Sequence, residues 1–484
     1  MAENVSGAPL ELGTKSVGAL LRQYAVPGII AMTATSLYNM VDSIYIGHLA
    51  GTGALALSAL GICSPIMNLG AALGTLVGVG ASTIISVLLG QRNYSNARKV
   101  LSNEITLNLI LGLLFTALVL LWEEPILYFF GASGATMSLA KQYLTVIMAG
   151  NVVSHMYFGL NSLIRATGNP KRAMALTLFT VGLNAALDPV FIFALGMGVQ
   201  GAAVATVLCQ FLALCYSLWY FSGKDRVVHF GRRILGIDWR IAKSSLAIGL
   251  GPFLMNSAAC IVNLFINQQL RKYGGDLAIG AYGIVARLSF LFLMVVMGFN
   301  QGMQPIAGYN YGARQYSRVR KVYLLTAAWA TAVCVLGFII SEVFPRAAVS
   351  IFTNDPTLLA LSAKGLRTAN LAFLLVGMQM VSTNFFQCLG MVKKSIFLSL
   401  SRQLLFLLPL IYTLPLWFQE AGVWMSFPIS DVLNVIISAI FIFDIFKKLK
   451  RIPDGGDASR LGGADLSYDY SGTSKRTQPA HVRT

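Results

Sequence analysis

Long apolar runs separated by short polar or basic breaks dominate this chain of 484 residues. A helix of about 20 apolar residues crosses the roughly 30 Å hydrocarbon core of a bilayer, and each run is long enough for one. The twelve runs have approximate cores at 25–48, 54–89, 100–122, 136–160, 173–195, 201–222, 243–270, 277–311, 322–343, 365–388, 395–418 and 422–446. The pattern predicts an all-α integral membrane protein with twelve transmembrane helices.

An eleven-residue phrase occurs twice and divides the chain into halves. It reads GQRNYSNARKV at Gly90–Val100 and GARQYSRVRKV at Gly312–Val322, with seven of eleven positions identical and an offset of 222 residues. About six predicted helices lie within one offset, so both copies enter the membrane from the same side. We therefore expect two six-helix bundles related by an internal pseudo-two-fold axis along the membrane normal.

The breaks between runs set the predicted domain limits. These are a cytoplasmic N-terminal segment 1–23, an N-terminal six-helix bundle 24–222, a cytoplasmic linker 223–242, a C-terminal six-helix bundle 243–446 and a disordered cytoplasmic tail 447–484. Disorder is expected in the tail because it turns basic (KKLKR) and then becomes rich in Gly, Ser and Asp.

Basic residues concentrate in the breaks that alternating helices would place on one side of the membrane. Those breaks and the two terminal segments hold 28 of the 36 Lys and Arg residues. Positive residues in short loops stay in the cytoplasm, so both termini should be cytoplasmic. The net charge of +17 is then a topology signal, and its scattering among loops argues against a nucleic-acid partner.

The composition and motifs exclude several function classes. The chain is 56% hydrophobic and 11% charged, which suits lipid as the solvent. It contains no GxxxxGKS or GxxxxGKT motif for ATP, and its six Cys form no CxxC pair. No nucleophile, base and metal constellation indicates an enzyme, and we expect no cofactor and no resident metal.

Three acidic residues fall deep in apolar runs, where an ionisable side chain costs about 2.5 to 3.5 kcal/mol and requires a partner, a wet cavity or a task. They are Asp42, Asp188 and Asp431. Asp42 shares a polar face of the first helix with Tyr38 and Asn39. The alternative is that each aspartate only hydrogen-bonds a neighbouring helix.

The fifth and sixth helices add neutral oxygens. A stripe on helix five has spacings of three and four residues: Thr177, Thr180, Asn184 and Asp188. Pro189 frees a carbonyl and should kink that helix. Thr206 and Gln210 form a pair one turn apart on helix six. Two carboxylates with such oxygens could take up H⁺ or bind Na⁺.

The second half is polar in a different way. Helix seven carries Asn263 in an asparagine stripe, and Arg287 lies inside helix eight. Arg287 needs an anion or water, and Asp431 is its candidate partner. Hydrogen bonding between helices is the alternative for the stripe. In the first half, His155 on helix four is a further candidate for proton transfer or substrate contact.

A set of motifs in order resembles the multidrug and toxic compound extrusion (MATE) family, in the bacterial branch nearer the DinF and MepA types than NorM. The motifs are YNMVDSIYIGHL, LGQRNYSNARKV, RATGNPKRAM, LNAALDPVFIF with MGVQGAAVAT, and AYGIVARLSF. The resemblance runs from about Ser16 to Lys450. It implies the MATE fold, a V-shaped pair of bundles, and multi-pass insertion in the bacterial inner membrane.

The resemblance also implies export by exchange for H⁺ or Na⁺ at a cation site in the first half. The matching residues are Asp42, Asn184, Asp188 and Thr206, with Tyr143 nearby. Asn161 matches a position near bound drug. Unlike NorM, the chain has no Glu on helix seven and no acid on helix ten. Only Arg287 and Asp431, beside Asn263, remain as second-half candidates.

These observations favour an ion-coupled antiporter that exports cationic amphiphilic drugs or toxic organic compounds by alternating access. Its substrate would contact Tyr38, Asn39, Asn161 and Gln210. One alternative is a flippase of related fold for a lipid-linked precursor, which would favour a basic cavity. Another is a major facilitator transporter, whose usual loop between helices two and three carries an Asp and a second Gly that are absent here.

Overall fold

The computed structural model describes residues 11–49, 53–231 and 234–456, which are mostly helical and contain no β-strand. The α-helices are α1 Glu11–Thr14, α2 Val17–Gly47, α3 Gly53–Gly90, α4 Tyr94–Leu121, α5 Glu123–Phe129, α6 Met137–Ala149, α7 Asn151–Ala166, α8 Pro170–Pro189, α9 Gly198–Ser222, α10 Trp239–Gly312, α11 Tyr316–Val343, α12 Pro345–Ser350, α13 Pro356–Ala369, α14 Phe373–Cys388, α15 Val392–Leu400, α16 Leu408–Thr413 and α17 Pro415–Arg451. Two π-helical segments, Val190–Ala194 and Ser401–Leu407, lie within the fifth and eleventh predicted spans.

The predicted membrane spans are matched closely. Within the described residues, ten helical stretches are long and apolar enough to cross a membrane, and α10 contains two of them because its helical conformation breaks at Gly275 (φ 71°). The pair α13 and α14, bent by 54°, forms an eleventh. The remaining run, 136–160, is divided into α6 and α7 at Gly150, and neither helix reaches 18 residues. The fold class inferred from the apolar pattern is confirmed.

The internal repeat extends to backbone conformation. Arg92 and Arg314 occupy equivalent positions of the repeated phrase, and both have φ of 58°, a left-handed value that is uncommon for a residue with a side chain. Gly168 and Gly390, also 222 residues apart, have positive φ values of 99° and 68°. The two halves thus turn the chain in the same way at the same places.

The halves meet along a seam between α3 and α10 where helices approach with no space for side chains. A Cβ atom added to Gly90 would lie 2.0 Å from the carbonyl oxygen of Tyr309. In the equivalent contact, a Cβ on Gly312 would lie 2.1 Å from the carbonyl oxygen of Val87. The repeated glycine therefore has a packing function at the contact between the bundles, in addition to any role in topology.

One end of the molecule, called here the basic end, gathers α1, the loops 90–93 and 313–315, and the segment 452–456. Arg318 donates to the carbonyl oxygens of Leu12 and Lys15 at 3.0 and 2.6 Å, which fixes α1 against α11. The tail was predicted to begin at 447, but α17 continues to Arg451. Residues 457–484 lie outside the described part of the chain.

The segment 452–456 supplies a helix cap that the second repeat lacks. In the first repeat, Asn93 accepts a hydrogen bond from the Asn96 N–H at 3.3 Å and caps α4. Gln315 stands at the equivalent position and makes no side-chain cap. Instead, Asp454 accepts from the Ser317 N–H at 3.0 Å and from its hydroxyl at 2.5 Å. A carboxylate from the end of α17 thus stabilises the start of α11.

Replacing Asp454 with Ala should release this segment from the basic end. The hydrogen bonds from Ser317 hold the pKa of Asp454 below its ordinary value, so capping is present above the ordinary carboxyl pKa and is lost as pH falls through the folded one. A lost cap costs about 1 kcal/mol. We expect about fivefold faster amide exchange at the start of α11. Asp225→Ala, at an exposed acid just after α9, should leave that exchange unchanged.

Candidate functional site

A cavity of about 240 Å³ lies inside the first half. Helices α2, α7, α8 and α9 form most of its wall, and α10 contributes Gln301. The lining is largely apolar, and its polar side chains include Asn161 and Arg165 on α7, Asn184 on α8, and Thr206 and Gln210 on α9. An apolar chamber with a few convergent polar groups has the character of a small-molecule site.

The predicted stripe on α8 faces inward. Asn184 and Asp188 have exposed fractions of 2% and 0%, and Thr177 and Thr180 are also buried. The Asn184 amide donates to the hydroxyl of Thr206 at 3.3 Å, which joins α8 to α9 beside the cavity. Asp188 lies one turn beyond Asn184 on the same buried face, next to the part of α8 that lines the cavity.

Asp188 is buried without compensation. Neither carboxylate oxygen makes a hydrogen bond of normal geometry, although the Asn184 amide one turn earlier on α8 faces it, and no Lys or Arg of the described residues is ion-paired with it. Asp42 on α2 is 7% exposed, leaves its Oδ1 without a partner, and is close enough to repel Asp188 electrostatically. Two carboxylates in this arrangement are costly unless a proton or cation joins them.

The backbone after Asp188 departs from the α-helix. Pro189 cannot donate the usual hydrogen bond, and the chain continues as the π-helix Val190–Ala194. The sequence predicted a kink with freed carbonyl groups at this point. A π-helical segment widens the turn and often accompanies a functional site.

The other predicted site residues are distributed around this chamber. Asn161 donates to the Thr177 hydroxyl at 3.0 Å and leaves its own Oδ1 unpartnered. Gln210 accepts a hydrogen bond from Ser154. Tyr143 on α6 is 2% exposed and belongs to a buried apolar cluster that includes residues of α2, α3 and α9. The side chains of Tyr38 and Asn39 lie outside what the structure describes.

A model of the MatE family matches two segments, residues 27–190 and 247–413, one in each half and together more than half of the chain. The chain belongs to the MatE family. Members are transporters, so the architecture is that of a multi-pass membrane transporter of the multidrug efflux type.

Individual MatE proteins resemble this one along almost their whole length. The chain is 27% identical to the multidrug export protein MepA of Staphylococcus haemolyticus strain JCSC1435, over 90% of this chain and 95% of MepA. The solved outward-facing conformation of a multidrug resistance MATE family transporter superposes with a TM-score of 0.86, at 26% identity over 93% and 100% of the two chains. A transporter from Pyrococcus furiosus Vc1 (DSM3638) is described as having a binding pocket of reverse polarity. It superposes with a TM-score of 0.85, at 26% identity over 92% of this chain and 99% of that one.

The second half of this MatE protein has a different polar arrangement from the one expected. Asp431 is paired with Arg402, whose Nε donates to its Oδ1 at 2.6 Å, so the expected pairing with Arg287 is wrong. Arg287 is exposed, as is Asn263, which accepts from the hydroxyl of Tyr282 at 2.6 Å. The π-helix Ser401–Leu407 carries Arg402 and orients it towards α17.

The sequence did not point to two arginines of this MatE protein, one in the cavity and one in the second half. Arg165 was counted as a loop charge, but it lines the cavity and donates to Gln301 across the two halves. Its spacing of four from Asn161 was the available signal, since that spacing returns to the same helix face. Arg402 was missed because it lies in a run that otherwise reads as apolar.

No group of three or more His, Cys, Asp or Glu side chains could hold a metal ion, as far as residues 11–49, 53–231 and 234–456 are concerned. Any inorganic cation at the chamber would depend on Asp42 and Asp188 together with neutral oxygens. The donor set of carboxylate, amide and hydroxyl oxygens suits a hard monovalent cation or a proton.

Proposed function

We propose that this MatE protein is a secondary active antiporter that exports cationic amphiphilic organic compounds in exchange for H⁺ or Na⁺ by alternating access. The observation that carries the proposal is the buried Asp188, which has no ion pair, interacts with the charge of Asp42 and lies one helical turn from the wall of a largely apolar cavity. The chain would lie in the bacterial inner membrane with both termini in the cytoplasm.

The coupling follows from competition for negative charge. A proton or Na⁺ that reaches Asp42 and Asp188 neutralises the chamber, with Asn184 and Thr206 supplying neutral oxygens to Na⁺. A neutral chamber attracts an organic cation less strongly, so cation entry favours release of the cargo. The reverse exchange loads cargo when the inorganic cation leaves.

Substrate recognition would combine apolar contacts with the cavity wall and a small number of hydrogen bonds. The apolar wall suits the hydrocarbon or aromatic part of an amphiphile, and Asn161 has a free Oδ1 that can accept from a donor on the cargo. Gln210 lies on the same wall, one turn beyond Thr206. Contacts of this kind tolerate many ligands, as multidrug export requires.

The alternative is a flippase for a lipid-linked anionic precursor, and Arg165 favours it. Its guanidinium lines the cavity and has no acidic partner among the described residues. Two carboxylates near the same cavity oppose an anionic cargo electrostatically. The antiporter is therefore the preferred function.

Transport by the full chain in liposomes would test the proposal. A lipophilic cationic dye should leave loaded liposomes only when an opposing pH or Na⁺ gradient is imposed, and a neutral analogue of the dye should show no gradient dependence. The gradient that drives export identifies the coupling ion. Dye movement that ignores both gradients, or movement of a polyprenyl-phosphate probe in place of the dye, would contradict antiport of cations.

A further inference from the structure

A further buried acidic residue, in addition to Asp42 and Asp188, lies in the first half on the side of α7 that faces away from the cavity. Glu104 on α4 is 1% exposed and packs against Gly159 of α7. A Cβ added to Gly159 would lie 1.7 Å from Glu104 Oε1, so the carboxyl group rests directly on the α7 backbone. Tyr157 and Asn161 line the cavity from the opposite face of the same helix.

The hydrogen bonding of Glu104 is incomplete in a specific way. Asn108, one turn along α4 and fully buried, donates from Nδ2 to Glu104 Oε1 at 2.6 Å. Glu104 Oε2 has no partner, and neither does Asn108 Oδ1. Both orphan atoms are acceptors when the glutamate is ionised, so they cannot satisfy each other.

A single proton bound to Glu104 Oε2 would let the two unpartnered atoms form a hydrogen bond with each other. It turns Oε2 into a donor, and Asn108 Oδ1 is the acceptor on the planar group already joined to Oε1. The carboxylic acid and the amide then form a ring with two hydrogen bonds, Nδ2–H to Oε1 and Oε2–H to Oδ1. The ionised form would instead leave a buried charge with one donor, which is strongly unfavourable in a membrane interior.

No Lys or Arg of the described residues forms an ion pair with Glu104, and Arg98 and Lys99 of α4 lie on other faces of that helix. Helix α3 carries no Asp, Glu, Lys, Arg or His. On α7, Arg165 bonds Gln301 on the cavity side, and the Tyr157 hydroxyl faces Thr180 of α8. The remaining titratable group of α7, His155, lies one turn from Gly159.

His155 occupies the next layer of the same interface. Its ring is 0% exposed and packs between Gly74 of α3 and Gly112 of α4, whose added Cβ atoms would lie 3.1 Å from Cδ2 and 3.4 Å from Nδ1. Neither ring nitrogen makes a hydrogen bond of normal geometry, although the ring faces the Gly70 carbonyl. The imidazole therefore has no anionic partner to hold a positive charge.

Charged groups of the other neighbours point elsewhere. At the start of α10, Arg240 and Lys243 are exposed, and Asp238 accepts a hydrogen bond from the Arg240 N–H. Near α5 and α6, Lys141 pairs with Glu124 on the exposed surface. Glu104 thus faces the amide of Asn108 and the backbone of Gly159.

We propose that Glu104 and Asn108 form a second proton-binding site, separate from Asp42 and Asp188, in which a proton on Glu104 holds α4 against α7. The site binds H⁺ and is too tightly packed for a hydrated metal ion, because the carboxyl group lies on the Gly159 backbone. Ionisation of Glu104 at alkaline pH would break the ring of hydrogen bonds and loosen this wall of the bundle.

Infrared spectroscopy of the purified full chain tests the protonation directly. At neutral pH, Glu104→Gln should lose a C=O stretching band of a protonated carboxylic acid relative to the wild type, and Asp225→Asn should lose none. Loss of a carboxylate band in place of the acid band would overturn the proposal. So would an acid band that appears only when His155 is replaced by Gln, since this indicates an ionised Glu104 paired with His155.

Thermal unfolding across the neutral-to-alkaline range gives a second readout. Gln can donate from Nε2 to Asn108 Oδ1 and accept at Oε1, so Glu104→Gln should match the wild type at neutral pH. As pH rises, the wild type should lose stability and the variant should retain it. Equal alkaline losses in both proteins would overturn the proposal. Neither experiment measures transport. A negative result would therefore reject the Glu104 site without affecting the antiport proposal, which the liposome assay tests.

Discussion

Asp188→Asn is expected to abolish gradient-driven export of a cationic dye while the protein remains folded. The amide is almost the same size as the carboxylate but can neither ionise nor bind a proton. Asp188 has no ion pair and no hydrogen bond of normal geometry to lose, so the main effect of the substitution is to remove a buried charge. In liposomes, dye efflux under an imposed pH or Na⁺ gradient should fall to that of protein-free vesicles. The midpoint of thermal unfolding should be no lower than that of the wild type, because the substitution removes a costly buried charge.

Asp225→Asn is the matched control, because it makes the same chemical change at an exposed acid just after α9 and should transport at the wild-type rate. Asp42→Asn should have the same effect as Asp188→Asn. The double variant should be no worse than either single variant, since the two carboxylates act as one charge cluster. Wild-type exchange by Asp188→Asn would remove the basis of the coupling mechanism.

Arg402→Ala should lower the free energy of unfolding by about 3–5 kcal/mol. The pair with Asp431 is 2.6 Å long, and the side chains of Arg402 and Asp431 are 26% and 6% exposed, so removing the guanidinium strands a buried carboxylate between α17 and the π-helix Ser401–Leu407. Thermal unfolding of the purified protein in detergent measures the loss.

The exposed pair of Lys15 and Glu11 provides the control for burial. It has the same length of 2.6 Å, but its side chains are 46% and 59% exposed. Lys15→Ala should change the free energy by about 0–1 kcal/mol, because water screens the pair. Arg402→Met combined with Asp431→Leu should recover most of the loss. Equal destabilisation by Arg402→Ala and Lys15→Ala would show that burial does not determine the effect.

The two halves use the same backbone with opposite electrostatic arrangements. In the first half, Asp188 and Asp42 lie together without a fixed counter-ion. In the second half, the charge of Asp431 is neutralised by an ion pair with Arg402 of the same bundle. A mobile cation can bind at Asp42 and Asp188, whereas Asp431 and Arg402 already neutralise each other. This difference supports a single coupling site, located in the N-terminal half.

Much of the architecture followed from the sequence alone. The length of each apolar run predicted the spans, because a helix must satisfy its backbone hydrogen bonds across the whole bilayer. The repeat at Gly90–Val100 and Gly312–Val322 predicted equivalent halves, and equal φ values at Arg92 and Arg314 confirm it. The stripe ending at Asp188 predicted an inward face, since a spacing of three or four residues is a local property of one helix.

The partners of charged side chains were decided only by the tertiary structure. Asp431 joins Arg402 and not Arg287, Arg165 reaches the cavity, and Glu104 rests on Gly159. Each of these contacts depends on how distant helices rotate and how closely they approach, which no spacing within one helix specifies. Burial of a residue can be predicted from its own segment, but its partner depends on the packing of the entire bundle.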